Sequence, residues 1–479
     1  MLKYKSLHIV NCTLSLSLLL AACSGSEPDG PANGQMAIHF SSSIADMSAT
    51  RAGETGALTT DALKALGLDG GFGVFAYYTG TAAYNTVNSA NQLMKTLEPN
   101  FMYNQQVWWN PYGGDSWNYT PLKYWPNDNQ PADDEGAQGS VAQSRVSFFA
   151  YAPWVDHTAA SLGTDGITAI SANTTVGDPT VTYVLNPLPE KQVDLLWGTR
   201  GKDTYQEADG TPNTDDVAVN TDLTKQTTTE SVDFRFRHAL TCLDVYVQRV
   251  YDELTPTGKA PTAESTKIFV SRLQLTYPAD QMVKQGTLNL ARGIWTKGSA
   301  FAAGTIDITD SYISPAIVGT TAANSALAAV QAAELDRYAS KSGVTKNMQR
   351  LTELAYATML IPADGNSGLT LTPTLTYSFV TDDPALELSL PNSSATSHYA
   401  RILHTVQGNP VNIGTEYDDG GVKKYRLEAG KRYILVCYIG VESVQFQVIS
   451  IEDWDFPMRY TTSLTGFDTK QIEKSVKEQ

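Results

Sequence analysis

Leu369-Thr-Leu-Thr-Pro-Thr-Leu-Thr-Tyr-Ser-Phe379 carries the clearest two-residue period in the chain. Leu369, Leu371, Leu375, Tyr377 and Phe379 share one parity, and Thr370, Thr372, Thr374, Thr376 and Ser378 share the other. Side chains alternate between the faces of an extended chain, so this spacing predicts a strand with one face in a core. Val444, Phe446 and Val448 alternate with Gln445 and Gln447 in the same way. Phe72–Tyr78, Val146–Pro153 and Ile434–Val441 are apolar at both parities, the pattern of strands covered on both faces. Val107–Trp109 and Trp117–Tyr119 flank the turn-rich Asn110–Asp115 and read as a hairpin. Val181–Val184, Asp194–Gly198, Ile268–Tyr277 and Ala357–Pro362 add shorter strand candidates. Phe234, Phe236 and Leu240 lie on one face and Leu243, Val245 and Val247 on the other, which predicts a bulge near Thr241. The best helical pattern is Leu327–Tyr338, with a short helical turn over Leu58–Leu66.

The totals agree with all-β material. Tyr (24) outnumbers Phe (14), and Gly (36) and Pro (22) supply turns between short strands. A chain of 479 residues exceeds one core and suits two or three domains. The polar stretch 199–230 is the natural boundary, giving modules 52–228 and 229–456 and a tail 457–479. The net charge of −16, with no basic patch, argues against a nucleic-acid partner.

The N-terminus has its own logic. Lys3 and Lys5 precede a short apolar run, Ile9–Leu20, which is too short to span a bilayer. Leu20-Ala-Ala-Cys23 has the layout of a lipoprotein signal: residues 1–22 leave and Cys23 becomes the lipidated first residue. A thioether-linked diacylglycerol plus an N-acyl chain on that cysteine would suffice for stable attachment. A polar tether, Ser24–Gly34, leads to Met36-Ala-Ile-His-Phe40, whose alternation predicts a half-buried strand. Arg51 follows among small residues, a site open to an arginine-specific protease. One cut between Arg51 and Ala52 would separate 23–51, anchor and strand together, from the rest.

Catalytic signatures are absent: no G-x-S-x-G, H-E-x-x-H, P-loop or dinucleotide fingerprint occurs. The histidines lack ligand spacing, and His238 on a strand face reads as a hydrogen-bonded structural residue. Asp133-Asp134 and Asp418-Asp419 match no calcium loop, so neither a metal nor another cofactor is expected. Cys242 and Cys437 lie in apolar strands; they read as buried thiols, with a disulfide as the alternative. Trp108, Trp109, Tyr112, Trp117, Tyr119, Tyr124 and Trp125 form either a sugar-stacking platform or core filling, and the alternation favours the core.

Taken in order, several stretches resemble the fimbrillin family, the type V pilus subunits of Gram-negative surfaces. They are Leu20-Ala-Ala-Cys23, Ile38-His-Phe40 with Thr50-Arg-Ala52, Phe72–Tyr77, Lys123-Tyr-Trp-Pro126 and Val146–Pro153. Asp194-Leu-Leu196, Phe236-Arg-His238, Met359-Leu-Ile-Pro362 and Leu427–Trp454 continue the series.

The resemblance implies two tandem transthyretin-like Greek-key β-sandwich domains. It implies a lipoprotein carried to the outer membrane, then cut after an arginine by a trypsin-like protease, and Arg51 is the matching position. Cutting in the family removes the first strand, and a C-terminal strand of a neighbouring subunit fills the groove. Met36, Ile38 and Phe40 are then the removable plugs, and Met458, Tyr460 and Leu464, with Thr462 between, the candidate donors. The expected partners are other fimbrial subunits, the outer membrane during export, the protease, and a host or bacterial surface ligand. The polar tail Asp468–Gln479 leaves a tip or anchor role open. Two other readings stand beside the non-enzymatic pilin: an uncut surface lipoprotein gripping glycans, and a hydrolase.

Overall fold

A computed structural model describes residues 36–44, 58–84, 97–126, 144–158, 162–200, 218–225, 227–228, 231–249, 266–309, 349–352, 358–362, 368–382, 399–439 and 444–453. Among them the architecture is all-β: one eight-stranded sheet, two five-stranded sheets, one of four strands and a two-stranded hairpin. The helix read over Leu327–Tyr338 lies outside the described residues. The short N-terminal helix exists as α1 (Thr60–Ala65), capped by the Thr59 hydroxyl, which accepts from the Ala62 N–H at 3.1 Å.

The eight-stranded sheet runs in the order Phe40–Ile44, Val232–His238, Leu196–Arg200, Arg145–Ala152, Phe72–Gly80, Met102–Asn110, Ser116–Asn118. Asn220–Leu223 also pairs with Arg145–Ala152. The first strand, Phe40–Ile44, is called β1 below. The doubly apolar strands now have a reason. Phe72, Val74 and Ala76 enter one core while Phe75 and Tyr77 enter the other. Val146, Phe148 and Ala150 divide from Phe149 and Tyr151 in the same way. The sheet is covered on both faces, which removes the need for polar alternation.

The period-two run forms a long strand, Leu369–Asp382, between Thr266–Tyr277 and Tyr399–Gln407. Leu369, Leu371, Leu375 and Tyr377 are buried as their parity requires. The other five-stranded sheet centres on Thr241–Arg249, which runs parallel to Lys431–Ile439.

The structure differs from the sequence reading near Thr241. Val232–His238 and Thr241–Arg249 are two strands in two sheets, joined through Ala239 and Leu240, not one bulged strand. The Ala239 N–H donates to the Leu195 carbonyl at 2.8 Å, which ends one ladder before the next begins. The change of face is a change of sheet. Val232–His238, read as opening the module 229–456, therefore pairs with Leu196–Arg200 and β1.

A four-stranded sheet joins early and late chain: Thr180–Val184 pairs antiparallel with Gln285–Asn289. Two indoles pin the same region. Trp197 Nε1 donates to the Leu290 carbonyl at 2.8 Å and Trp295 Nε1 to the Ala239 carbonyl at 2.7 Å. One continuous apolar cluster accordingly contains residues from Phe75 to Val444.

Candidate functional site

Residues 36–44 lie at a seam. On one side the Ile38 N–H donates to the Lys123 carbonyl and the Trp125 N–H to the Met36 carbonyl, each at 2.9 Å. On the other side β1 runs parallel to Val232–His238, with Phe40 opposite Val232 and Ile44 opposite Phe236. Lys123–Trp125 continues the chain leaving Ser116–Asn118, the last strand at the far end of the sheet. The segment 36–44 therefore joins the two ends of the same sheet and closes it around its core. Without that segment, both flanks would present unpaired backbone groups.

The side chains obey strict alternation. Ile38, Phe40 and Ile44 are buried, Met36 is half-buried and His39 is exposed. The Phe40 ring sits 5.2 Å from Tyr119, 5.9 Å from Phe148, 5.9 Å from Phe234 and 6.3 Å from Phe72, centroid to centroid. Ser42 shares the inward parity; its hydroxyl oxygen is enclosed and has no hydrogen-bond partner among the described residues. On the outward parity Ser41 Oγ donates to Asp233, which also accepts from Ser231 Oγ at 2.6 Å. Burying Ile38, Phe40 and Ile44 is worth roughly 5–9 kcal/mol by transfer alone. That is of the order of the net stability of a whole domain.

Tyr119 supports the seam from below. Its hydroxyl donates to the Ile38 carbonyl at 2.8 Å, and burial pushes the phenol up to about 12. The far end is held differently. The Ile44 N–H donates to Thr60 Oγ1 at 3.0 Å, tying the end of β1 to the first residue of α1. Between these two anchored ends the chain runs through residues 45–57, which include Arg51. Downstream, the Leu58 N–H donates to Asp194 Oδ2 at 2.9 Å, and the same oxygen lies 2.7 Å from His238 Nδ1. Both side chains of that pair are essentially inaccessible to solvent. Leu58, Ala62 and Leu63 sink into the core that β1 caps. The two sides of Arg51 are thus held by different means: a strand upstream, and a buried ionisable pair with an apolar helix face downstream.

The strand expected over Met36–Phe40 lies later in the chain, at Phe40–Ile44; Met36 and Ile38 precede it, flanking the isolated bridge of Ala37 with Tyr124, and Ile44 extends their inward row. Cys23, Arg51, Ala52, Met458, Tyr460 and Leu464 lie outside the described residues. His238 is the hydrogen-bonded core residue that its strand position indicated. Cys242 and Cys437 are buried and not joined in a disulfide. They occupy neighbouring strands, but Cys437 faces Val247 and Cys242 faces Arg432, so their registers do not meet. Of the aromatic group, Trp117, Tyr119 and Trp125 are in the core, whereas Tyr112 is 98% exposed at the hairpin tip. Trp109 packs edge-on against Trp117, and the Lys64 ammonium sits 4.2 Å from its ring centroid. Among the described residues, no cluster of His, Cys, Asp or Glu is disposed to hold a metal, and no helix is long and apolar enough to cross a membrane.

No family model matches the chain. A curated relative, fimbrium subunit Fim1C of Phocaeicola vulgatus, is 30% identical over 246 residues, 51% of this chain and 51% of that protein. A solved fimbrial protein from Bacteroides vulgatus aligns with 87% of this chain and 99% of its own, with a TM-score of 0.54 and 21% identity. The chain is thus similar to fimbrial proteins. The sequence match spans about half the length of the curated relative, and the structural likeness speaks to the fold. Both comparison proteins are named as fimbrial, neither as an enzyme.

Proposed function

We propose that this fimbrillin-like chain is a non-enzymatic structural subunit of a type V surface fimbria. It is exported to the outer membrane as a lipoprotein on Cys23 and cut between Arg51 and Ala52 by an arginine-specific protease. Loss of residues 36–44 opens the seam, and a strand containing Met458, Tyr460 and Leu464 of the next subunit fills it. The reading is supported most by one observation: the strand that closes the sheet is continuous with α1 only through residues 45–57. A single cut there leaves β1 held by non-covalent contacts alone. An extended segment can restore both the backbone bonds and the apolar plugs. Addition of unlike surfaces head to tail gives an open filament.

The competing reading, an uncut lipoprotein gripping glycans through aromatic loops, has less support. Trp117, Tyr119 and Trp125 are used in the core, and Tyr112 stands far more exposed than its aromatic neighbours.

Brief digestion of the lipidated full-length chain with an arginine-specific protease tests the proposal. One early cut after Arg51 followed by SDS-resistant ladders is expected, and Arg51→Ala should abolish both. Ladders from the Arg51→Ala chain, or retention on a polysaccharide gel without any cut, would contradict it.

A further inference from the structure

We infer that residues 456–464 of a second copy replace residues 36–44 in one register, which puts Thr462 where Ser42 sits, and that the narrow station beside Phe234 sets that register. This rests on the strand-exchange reading above.

The inward row of the resident strand reads Met36, Ile38, Phe40, Ser42, Ile44. Its shape is three large residues, one small hydroxyl residue, one large residue. Ser42 lies opposite Phe234, whose buried ring stacks on Phe40 and contacts Phe72 and Phe236. With Phe40, Phe72 and Phe236 at 5.8–6.0 Å from the Phe234 ring, a large side chain at the place of Ser42 has to displace one of these rings. In the sequence Phe456-Pro-Met-Arg-Tyr-Thr-Thr-Ser-Leu464, alternate residues read Phe456, Met458, Tyr460, Thr462, Leu464. The full order of three large residues, one small hydroxyl residue and one large residue recurs in no other register of residues 454–479. A slip of two residues sets Tyr460 or Leu464 beside Phe234. A slip of one residue turns Arg459 inward and the apolar row outward.

Two outward positions agree with the same register. Pro457 falls at the place of Ala37. The bonds to Lys123 and Trp125 use the Ile38 N–H and the Met36 carbonyl, and the Ala37 N–H makes no hydrogen bond among the described residues. A proline there costs no ladder bond. Thr461 falls at the place of Ser41, whose hydroxyl donates to Asp233, and it carries the same donor. Thr462 brings the same hydroxyl as Ser42 to that station, whose oxygen has no partner among the described residues, and adds one methyl group to the row.

Disulfide trapping in full-length chains, cut after Arg51 under reducing conditions and then oxidised, reads the register directly. Cys242 and Cys437 are buried and do not compete. Thr461→Cys with Asp233→Cys is expected to link neighbouring copies into ladders that persist in boiling SDS and collapse on addition of a thiol reductant, and Thr461→Cys with Arg235→Cys is not. Linkage through position 235 instead would overturn the register while leaving strand exchange standing. Linkage within one chain would overturn the second copy as occupant. Failure of the unsubstituted cut chain to form any ladder would remove the strand-exchange reading itself. Thr462→Phe, outside the folded body, gives a second readout: ladder growth slower by about tenfold or more, from overpacking against Phe234, with Thr462→Ser close to the parent. Equal growth of the Phe variant would overturn the narrow station.

Discussion

Thr60 Oγ1 lies 3.0 Å from the backbone nitrogen of Ile44, so the last residue of β1 is bonded to the first residue of α1 across the segment that contains Arg51. This contact is independent of the peptide chain between the two residues. On the cleavage proposed above, the bond would remain after the chain is cut, and departure of the strand would be a separate step.

Thr60→Val removes the acceptor and leaves the helix cap in place, because Thr59 makes that bond. A net loss of about 1 kcal/mol is expected, a several-fold faster escape of the cut strand. Timed mass spectrometry of the released fragment measures it. An unchanged escape rate would show that the clasp does not hold the strand.

Phe40→Ala should destabilise the uncut chain by about 3–5 kcal/mol, the usual cost of removing a buried aromatic ring. The same substitution should have no effect on the stability of assembled material, from which residue 40 has gone. Denaturant melts of both forms give the comparison. Equal destabilisation of both would mean that the strand stays.

Asp194→Ala should act in the opposite pattern, with a loss of about 3–5 kcal/mol in uncut and assembled forms alike. It strands the Leu58 N–H and the His238 imidazole in a buried site. The expected sign of failure in assembled material is a loosened segment from residue 58 onward, read by amide hydrogen exchange.

Alkaline pH should loosen the uncut seam. The Tyr119 phenol is raised from 10.0 to about 12 by burial, so the folded state favours its neutral form. Its contribution is whole below about pH 10 and is lost as the pH rises toward 12. Part of the fall in stability over that window should vanish in Tyr119→Phe. The remainder belongs to deeper phenols such as Tyr77 and Tyr84, which burial raises further.

Cys242 and Cys437 should resist thiol reagents in the native chain and react together on unfolding. Burial pushes the Cys437 thiol up, which suppresses the reactive thiolate. A native disulfide, seen as a mass two daltons lower under non-reducing conditions, would contradict the register that separates them.

The class of fold was legible because strand parity is local. Leu369–Phe379 and Phe72–Tyr78 announced one covered face and two covered faces; the first holds from Leu369 to Tyr377, with Ser378 buried on the polar parity, and the second from Phe72 to Tyr77, with Tyr78 exposed. Ile38 and Phe40 were legible for the same reason. Ile44 was not, because Ser41-Ser-Ser43 looks like a loop; its strand character comes from the ladder with Val232–His238, a partner nearly two hundred residues away. The crossing between sheets at Ala239 looked like a bulge, since both events reverse the inward face. The pairing of Thr180–Val184 with Gln285–Asn289 left no trace in either segment, because nothing local encodes a partner. The Asp194–His238 pair needed coordinates too: each residue alone is an ordinary polar residue beside a strand.

The most direct measurement is the N-terminal mass of subunits taken from intact fimbriae on cells. Chains beginning at Ala52, lacking residues 36–44, are expected. Chains that still begin at the acylated Cys23, with Ile38 and Phe40 in their own sheet, would contradict a seam that opens and is filled by a neighbour.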